Sequence, residues 1–407
     1  MSVDGDKIRR GQEKIAWVRA HMPLLASLEA ELRPQRPLAG RRIALCIHLE
    51  AKTARLALAL KALGAEIAVA SSNPLSTKDD VAAALCNEVA THARCGASAA
   101  EYAAFLGEVL AIRPHLVLDD GGDLCALLHG RAGDWGTDLI GACEETTTGL
   151  VRLRQLAREG RLRFPVVAVN DARMKYLFDN RHGTGQSVWD AIMRATNLLV
   201  AGKRVLVVGY GWCGRGIAQR AHGLGANVVV AEVDPVRAAE AVMEGFMVAP
   251  VREAIADADF VVTATGCRDV VAWEDLMHAK DEAILANAGH FDVEIDVRSL
   301  RARADGRRVR DQVEEFTLPT GRRVYLLAEG RLVNLVAGDG HPAEIMDLSF
   351  AVQLLSLLWL AREGKGLAPG VYPVPPEVDG AVARRFLANR GMRIDSLSAG
   401  QREYLGL

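Results

Sequence analysis

The chain has 407 residues, half of them hydrophobic and a quarter charged, and a formal net charge of −2. This length exceeds what one ordinary core holds, so it predicts two or three units of a globular α/β protein, and the balanced charge argues against a dedicated surface for nucleic acid or membrane. Seven cysteines without a CxxC pair or a Cys/His cluster argue against a disulfide framework or a structural zinc, and they fit a reducing cytoplasm.

The first 32 residues contain no continuous apolar segment, so they predict an amphipathic helix rather than a secretory signal. Short aliphatic runs then alternate with helical patterns between residues 41 and 171, as in "RRIALCIHL", "AEIAVASS", "HLVLDD" and "FPVVAVND". Continuous apolar runs are typical of buried parallel strands, and the helical stretches between them imply βαβ units. The first part of the chain is therefore predicted as a doubly wound parallel sheet.

A long helix from Gln186 is expected to connect this unit to a second series of strands, which includes "KRVLVVGYG", "ANVVVAEVD", "DFVVTATG" and "EAILANAGH". The predicted fold class is α/β, with two doubly wound parallel-sheet domains joined by hinges and a short C-terminal arm. We expect residues 1–180 and 342–375 in the first domain, 181–341 in the second, hinges near 171–185 and 338–342, and the arm at 376–407.

Three stretches fall outside the strand pattern. The arginine-rich residues 303–311 also contain acidic residues, and we expect them to form a solvated loop. The apolar residues 349–361 are too few to span a bilayer, which indicates a buried helix. The Pro-rich segment that starts at residue 369 is expected to be a linker into the arm.

The most specific local motif is a GxGxxG sequence formed by Gly209, Gly211 and Gly214 directly after a predicted strand. Such glycines permit a tight turn and a close approach of the backbone to a pyrophosphate at a helix N-terminus. Glu232 ends the next strand, where a carboxylate accepts from a ribose 2′-hydroxyl and repels a 2′-phosphate. The motif predicts NAD binding, with Arg237 nearby as the residue that weakens the preference over NADP.

Polar residues follow many of the predicted strands, and ligands of open parallel sheets bind beyond the carboxyl ends of their strands. Taken singly, each such residue also has a structural explanation as a helix cap, a surface group or a satisfied packing residue. The candidates are Asp119, Asp120, Glu144, Glu145, Lys175, Asp179, Asn180, His290 and His341, together with His48.

Taken together, these motifs resemble the S-adenosylhomocysteine hydrolase family. The resemblance covers residues 10–407 in order and includes "HLEAKTA", "SNPLSTKDD", "LDDGGDL", "EETTTG", "FDN", "GYGWCGRG", "NAGHFDVEID" and "GHP". It implies reversible hydrolysis of S-adenosyl-L-homocysteine to adenosine and homocysteine with tightly bound NAD. The 3′-hydroxyl is oxidised, the C4′ proton is removed, the thiolate leaves, water adds and the ketone is reduced again.

The resemblance also implies roles for individual residues. Lys175 would handle the 3′ proton, with a pKa lowered by burial beside the nicotinamide, and Asp179 would contact the ribose hydroxyls with it. Asp120 would be a base at C4′ or a proton relay, and Glu145 would hold ribose hydroxyls. The complete catalytic set is His48, Asp120, Glu145, Lys175, Asp179 and His290, in which the histidines flank the leaving thiolate and incoming water.

A further set is implied for binding, and no metal is expected. The substrate would contact Glu50, Lys52, His341, Met346 and Phe350, with His341 at the moving hinge. The cofactor would contact Thr146, Thr147, Thr148, Asn180, Gly209, Gly211, Trp212, Cys213, Gly214, Glu232, Arg237, Thr265, Ala288, Gly289 and Asn334.

The sequence departs from the family pattern where the purine is expected. Glu50 and Lys52 replace the Thr and the Glu or Gln of longer members, and an ammonium is only a donor. Lys52 would therefore suit the O6 acceptor of hypoxanthine, which makes S-inosyl-L-homocysteine an alternative substrate. The competing interpretation is that Glu50 and Lys52 pair with each other while backbone groups read adenine.

The resemblance also bears on assembly. The family forms tetramers, so we expect a homotetramer that binds a small nucleoside thioether. The cysteine pattern and the balanced charge lead us to expect a cytoplasmic location and no binding of nucleic acid or membrane. The chain lacks the C-terminal Lys/Tyr extension of longer members, so the resemblance implies that NAD is held less tightly than in those members. The rivals from other classes are an NAD-dependent 2-hydroxy acid dehydrogenase and a catalytically silent regulatory relative.

Overall fold

The computed structural model describes residues 3–130, 134–136 and 138–407. Its first series of elements is α1 Val3–Ala20, α2 Pro23–Leu32, β1 Arg42–Cys46, α3 Ala51–Ala62, β2 Glu66–Ala70, α4 Asp79–Leu85, β3 Ala90–His92, α5 Ala99–Ala111, β4 Leu116–Asp119, α6 Asp123–Gly130, β5 Gly141–Glu144, α7 Thr147–Arg158, β6 Pro165–Ala168 and α8 Arg173–Tyr176.

The second series begins after a π-helical turn at Asp179–Gly183. It comprises α9 Thr184–Thr196, β7 Arg204–Val208, α10 Trp212–Gly223, β8 Asn227–Ala231, α11 Pro235–Met243, β9 Met247–Val248, α12 Val251–Ala254, β10 Phe260–Thr263, α13 Trp273–Leu276, β11 Ala283–Asn287, α14 Val297–Arg303, β12 Asp305–Arg310, β13 Val313–Thr317, β14 Arg323–Leu327 and α15 Val333–Val336. The chain ends with α16 Ala343–Glu363, β15 Gly370–Pro373, α17 Pro376–Ala388 and α18 Ala399–Leu405.

The first sheet has seven parallel strands in the order β15-β6-β5-β4-β1-β2-β3. The chain reverses direction across the sheet between β1 and β4, which opens a crevice beyond their carboxyl ends. Cys46 pairs with Asp119 and Asp119 pairs with Glu144 in register. The polar residues after these strands are therefore brought to one edge of the sheet.

The helix α16 lies in the core of the first domain, where Leu348, Phe350 and Leu354 are fully or almost fully buried. The segment Ala343–Gly366 has the length and hydropathy of a membrane span, but 67% of its most apolar window is buried inside the protein. A core helix passes the same test of length and composition, so the segment is weak evidence for a membrane span. The helix is longer than the apolar stretch 349–361 seen in the sequence.

The second sheet has eight strands in the order β12-β13-β14-β11-β10-β7-β8-β9, and it is parallel except for β13, which runs antiparallel to both neighbours. The predicted fold class, with two mostly parallel doubly wound sheets, is confirmed. The prediction of a solvated loop at 303–311 is wrong in part, because Asp305–Arg310 forms the edge strand β12. All six of its residues are exposed, as the charge pattern suggested.

The C-terminal segment begins differently from its prediction. The Pro-rich stretch expected to be a linker forms β15, the edge strand of the first sheet, where proline is tolerated because one side lacks a partner strand. Helix α17 follows, and its Val378 and Val382 belong to the core of the first domain. Residues 388–407 are exposed along their whole length.

Candidate active site

Two histidines and an aspartate meet in the crevice between the domains. His48 follows β1, Asp120 follows β4, and His290 follows β11 of the second sheet. His48 Nε2 lies 3.5 Å from Asp120 Oδ2, and His290 Nδ1 lies 3.9 Å from Asp120 Oδ1. The second domain thus supplies one member of a cluster whose other members belong to the first.

The ring of His48 is fixed by Ser76, whose Oγ lies 2.6 Å from His48 Nδ1. Burial lowers the pKa of His48 to about 4, although the charge of Asp120 acts in the opposite direction. The imidazole is therefore neutral near pH 7 and can accept a proton. The side chains of His48, Asp120 and His290 offer ligand atoms within 4.8 Å of one another, and the expectation of no metal stays a prediction.

A second cluster surrounds the ammonium group of Lys175, which is 4% exposed. Lys175 Nζ lies 3.1 Å from Asp179 Oδ1 and donates to Asn180 Oδ1 at 2.9 Å and to Asn170 Oδ1 at 3.3 Å. Although burial acts to lower it, Asp179 and Glu145 raise the pKa of Lys175 above its ordinary value. The expected lowering of this pKa is thus wrong for the chain alone, because two carboxylates outweigh desolvation.

Asp179 is the most strongly bound acid of this cluster. Ser349 Oγ donates to Asp179 Oδ2 at 2.6 Å, and His341 Nδ1 lies 3.3 Å from Asp179 Oδ1. Although burial acts to raise it, Lys175 and His341 hold the pKa of Asp179 well below its usual range. The carboxylate therefore stays ionised and accepts hydrogen bonds from three sides.

Glu145 is the neighbouring acid with the opposite tendency. Burial, aided by the charges of Asp120 and Asp179, raises the pKa of Glu145 to about 8 against the effect of Lys175. Its Oε2 accepts from Gln353 Nε2 at 3.3 Å. A carboxyl group that titrates near neutral pH can hold or release a proton during a reaction.

Below these residues lie two acids that face no crevice. Asp119 and Glu144 are completely buried, and burial raises the pKa of both, with Asp119 at about 7. Glu144 Oε1 accepts from the backbone N–H of Gly121 at 3.0 Å and from Thr146 Oγ1 at 2.7 Å. The predicted candidates Asp119 and Glu144 thus hold the turns that carry Asp120 and Thr146.

Sequence reasoning gave no role to several polar residues of this site. Ser76 belongs to the quoted motif "SNPLSTKDD" but was not assigned. Ser349 and Gln353 lie on α16, and both are fully buried. Polar side chains at buried positions of an otherwise apolar helix are the signal that could have identified them, because such groups require partners.

Glu50 and Lys52 lie at the start of α3, both less than a tenth exposed. Lys52 Nζ lies 2.7 Å from Glu50 Oε2 and donates to the carbonyl oxygen of Asp339 at 2.9 Å. Glu50 also caps the helix, since its Oε2 accepts from the backbone N–H of Lys52 at 3.0 Å. Of the two interpretations given for this pair, the geometry favours mutual pairing.

Of the other substrate contacts expected from the resemblance, His341 reaches the Lys175 cluster through Asp179. Phe350 is fully buried in the first core, and Met346 is partly buried at its margin. Their contacts with a substrate stay predictions.

The glycine-rich turn after β7 has the geometry that its motif predicts. Gly209 has a φ of +97°, and a Cβ there would lie 2.8 Å from the carbonyl oxygen of Ala264. A Cβ at Gly214 would lie 1.8 Å from the carbonyl oxygen of Gly209. A side chain is therefore excluded at both positions, and the backbone of the turn is left free to approach a ligand.

Glu232 ends β8 and is held against this turn. Its Oε2 accepts from the backbone N–H of Tyr210 at 2.6 Å, and its Oε1 accepts from Val233 at 2.7 Å. Arg237 lies beside Gly211, with Nη1 3.7 Å from an ideal Cβ at that position. Both side chains predicted to choose between NAD and NADP therefore border the glycine-rich turn.

The turns after β10 and β11 are organised by Glu294, which sequence reasoning missed. Its Oε2 accepts from Thr265 N and Oγ1 at 2.9 and 2.8 Å, and its Oε1 accepts from Gly266 N at 2.7 Å. A Cβ at Gly289 would lie 1.8 Å from the same carboxylate, and Ala288 beside it is buried. The Glu294 carboxylate is 1% exposed and lies between the loops after β10 and β11, so it orders both predicted ligand loops.

The other residues predicted to contact a cofactor lie on several different elements. Trp212 stacks on Tyr176 at 4.9 Å, and Cys213 Sγ accepts from Thr184 Oγ1 at 3.6 Å. Thr147 Oγ1 accepts from Asn170 Nδ2 at 3.1 Å, while Thr146 caps α7. The neighbouring Thr148 is partly buried in the first turn of that helix.

The side chain of Asn334 indicates whether NAD fits this site. Its Nδ2 donates to Ser187 Oγ at 3.0 Å, but its buried Oδ1 has no hydrogen-bond partner among the described residues. A buried polar atom without a partner is costly. An amide-bearing ligand such as a nicotinamide would satisfy it, so the residues fit NAD.

Two family models match separate parts of the chain. The model of the S-adenosyl-L-homocysteine hydrolase family matches residues 3–138, and the model of the NAD binding domain of the same family matches residues 180–340. The second match covers the glycine-rich turn and the loops held by Glu294.

Individual relatives match nearly the whole chain. An adenosylhomocysteinase of Thermotoga maritima is 54% identical over 97% of this chain and 98% of its own length. An S-inosyl-L-homocysteine hydrolase of Methanopyrus kandleri and an adenosylhomocysteinase of Pyrococcus abyssi are each 53% identical over 97% of this chain and 94% of theirs. The solved structure of a dipicolinate synthase chain from Bacillus halodurans has a TM-score of 0.50, covers 79% of this chain and 99% of its own at 14% identity, and supports the fold alone.

Proposed function

The chain is a member of the S-adenosyl-L-homocysteine hydrolase family, and from this premise we propose that it hydrolyses S-adenosyl-L-homocysteine to adenosine and homocysteine. The observation that carries the proposal is the Lys175 cluster beside the His48, Asp120 and His290 cluster, within reach of an NAD binding domain. The match to hydrolases over 97% of the chain argues against a 2-hydroxy acid dehydrogenase.

NAD is the cofactor, and when bound it supplies the temporary oxidation of the ribose 3′-hydroxyl. The turn of Gly209, Gly211 and Gly214 would hold its pyrophosphate, and Glu232 a ribose hydroxyl. Asn334 and the threonines of α7 would hold its nicotinamide end.

Lys175 and Asp179 are proposed to bind the ribose hydroxyls and to move the 3′ proton. The ammonium of Lys175 is held by one carboxylate and two amide oxygens, so it is oriented before a substrate arrives. Glu145, with its pKa near 8, would hold a proton at the neighbouring hydroxyl. Fixed donors and acceptors need little reorganisation in the transition state.

His48, Asp120 and His290 are proposed to act at the other end of the ribose. Asp120 would accept or relay the C4′ proton, and the two histidines would protonate the leaving thiolate and activate the incoming water. The neutral His48 and its fixed ring suit a group that accepts a proton from water. The protons released and taken up balance over the two half-reactions, so the net reaction is hydrolysis.

S-Inosyl-L-homocysteine is the second candidate substrate. Relatives named S-inosyl-L-homocysteine hydrolase, from Methanopyrus kandleri and Methanothermobacter thermautotrophicus, are 53% and 50% identical to this chain, similar to the adenosylhomocysteinases. Against it, the Lys52 ammonium that would donate to O6 already contacts Glu50 and the Asp339 carbonyl.

The test is a kinetic comparison of both thioethers with the NAD-loaded enzyme, in which the released homocysteine is measured with a thiol reagent. We expect turnover of the adenosyl compound at least equal to that of the inosyl compound. Clear preference for the inosyl thioether would identify S-inosyl-L-homocysteine as the substrate instead. Release of no thiol from either would refute both and would favour the catalytically silent relative.

A homotetramer in the cytoplasm is proposed on the same premise. Residues 388–407 are exposed and carry Met392, Ile394 and Leu405. An exposed arm with apolar side chains favours contact with a second copy of the chain. Light scattering of the full chain and of a chain ending at residue 390 checks this proposal. A tetramer in both cases would mean that the arm is not required for assembly. A monomeric full chain would contradict the proposed tetramer.

A further inference from the structure

The loop between α15 and α16 leads from the second domain back to the first. Lys52 Nζ of α3 donates to the Asp339 carbonyl oxygen at 2.9 Å, and Lys78 Nζ, just before α4, donates to the Gly338 carbonyl oxygen at 3.1 Å. Two ammonium groups from separate segments of the first domain therefore bind consecutive carbonyl groups of one interdomain loop.

The same loop is also bound by a residue of the second domain. Arg194 of α9 donates to Asp339 Oδ2 at 2.9 Å. Although burial acts to raise it, Arg194, Lys78 and Lys52 lower the pKa of the Asp339 carboxyl. Asp339 is thus bound to the first domain through its backbone and to the second through its side chain.

Lys52 is not a surface lysine that reaches the loop by chance, because it is 6% exposed. A buried ammonium group is costly unless a charge and hydrogen bonds compensate it. Glu50 supplies the charge at 2.7 Å, and a lysine offers three donors and no acceptor. The pair therefore supplies a charged donor that is aimed at a backbone carbonyl.

The loop also determines where His341 lies. His341 follows Asp339 by two residues and contacts Asp179 at 3.3 Å and Thr184 Oγ1 at 3.2 Å. Between them, Gly340 has a φ of +72° and donates its N–H to the Asn334 carbonyl oxygen at 2.9 Å. Such a short, hydrogen-bonded connection passes a displacement of Asp339 on to His341.

We propose that Lys52 and Lys78 are positioning residues that hold the loop 337–341 by its backbone carbonyl groups and so place His341 in the active site. This proposal rests on the proposed hydrolase function. The two lysines act on the position of this loop and not on recognition of the purine. Their replacement must therefore affect adenosyl and inosyl thioethers by the same factor.

The experiment compares Lys52→Met, Lys78→Met and the double variant with Lys61→Met, a control on the exposed side of α3 that removes the pair with Glu88. We expect each of the first two to lower kcat/KM for both thioethers on the order of 10-fold. Both act on one loop, so the double variant should lose less than the product of the single losses. Lys61→Met should match the wild type.

A measurement without turnover keeps the proposal separate from the proposed function. Hydrogen exchange of the loop amides 337–341 in the NAD-loaded enzyme should rise in Lys52→Met and in Lys78→Met and stay unchanged in Lys61→Met. Lys52→Arg and Lys78→Arg keep a cationic donor, so the loop amides of these variants should be protected from exchange as in the wild type. They replace a methionine variant in the comparison if that variant does not fold.

Three results would overturn the proposal. One is a changed ratio of adenosyl to inosyl turnover in Lys52→Met but not in Lys78→Met, which would make Lys52 a reader of the purine. The others are wild-type kinetics in both methionine variants and unchanged exchange of the loop. If the wild type hydrolyses neither thioether, the function fails, and loop exchange alone then decides whether the lysines hold the loop.

Discussion

The two sheets end at the same crevice but present different chemistry there. The edge of the first sheet carries buried ionisable side chains, including His48, Asp120 and Glu145. Burial lowers the pKa of His48 to about 4 and raises the pKa of Glu145 to about 8. The edge of the second sheet carries the glycine-rich turn and two carboxylates, Glu232 and Glu294, that bind backbone N–H groups.

Two doubly wound sheets therefore serve different tasks. Side chains that must exchange protons are desolvated and set close together, which shifts their pKa values at a cost in stability. A turn that must accept a dinucleotide needs backbone groups and the absence of Cβ atoms. Substitutions at the first edge should thus change reaction steps and pH dependence, and those at the second should change cofactor binding.

The largest effect is expected at the first edge, for Lys175→Ala. The variant removes the ammonium group that contacts Asp179, Asn180 and Asn170, so reduction of bound NAD by added adenosine should fall by about 10³-fold or more. The absorbance of the reduced cofactor measures it, with the exposed Lys365→Ala as control. A normal rate of reduction in Lys175→Ala would exclude this role.

The next effect is expected at the second edge, for Gly214→Ala. The added Cβ would meet the Gly209 carbonyl oxygen at 1.8 Å, so the turn must move. We expect affinity for NAD to fall on the order of 100-fold, about 3 kcal/mol, as measured by titration calorimetry of the apoprotein.

The matched control is Gly223→Ala at the other end of α10, where a Cβ meets nothing within 4 Å. It should bind NAD like the wild type. Equal loss of affinity in both variants would mean that helix α10, and not the turn, is what the substitution disturbs.

A smaller effect is expected on stability against pH, for Asp119→Asn below the first edge. Burial raises the pKa of Asp119 from 3.8 to about 7. The folded state therefore binds this proton more tightly, so its stabilising effect is complete below pH 3.8 and is lost as the pH rises through 7. The amide of the variant does not titrate. Between pH 3.8 and 7, the unfolding free energy of the wild type should therefore fall by on the order of a few kcal/mol more than that of the variant.

Thermal melting at a series of pH values checks this expectation. The exposed Asp395→Asn should melt with the same pH dependence as the wild type. If Asp119→Asn keeps the full wild-type slope between pH 4 and 7, another group, of which Glu144 is the first candidate, carries the titration.

The smallest effect is expected away from both ligand-binding edges, for Arg307→Ala on the exposed edge strand β12. Arg307 is paired with Glu315 at 2.8 Å but is solvent-exposed, so its loss should change the unfolding free energy by less than about 1 kcal/mol. Denaturant unfolding followed by circular dichroism measures it. A loss of several kcal/mol would show that this edge is covered in the native assembly.

Much of the fold was predictable because local sequence patterns indicate its strands and turns. Continuous apolar runs identified β1, β7 and β11, and the spacing of Gly209, Gly211 and Gly214 identified the cofactor turn. The pattern failed at β12, whose exposed arginines lack an apolar face, and at β15, whose prolines mimic a linker. Edge strands escape prediction because partners on one side alone define them.

The candidate site was predictable in its residues but not in its contacts. Ser349 lies 170 residues from Asp179, and Gln353 lies 208 residues from Glu145, so no local pattern relates them. In the chain alone, the pKa of Lys175 is shifted in the direction opposite to the one predicted, because two carboxylates near the ammonium group outweigh its burial. Distances in space decide such balances, since charge interactions depend on separation and desolvation.

The sequence by itself determined that this chain forms two doubly wound domains, that the second holds a dinucleotide, and to which family the chain belongs, because these follow from local periodicity and from motifs. Only the tertiary structure decided what Lys52 contacts. The sequence left its ammonium facing either a purine or Glu50, and folding placed it between Glu50 and the carbonyl of Asp339, 287 residues away along the chain. A buried charge takes whatever partners the packing brings within reach, and that choice is made in three dimensions.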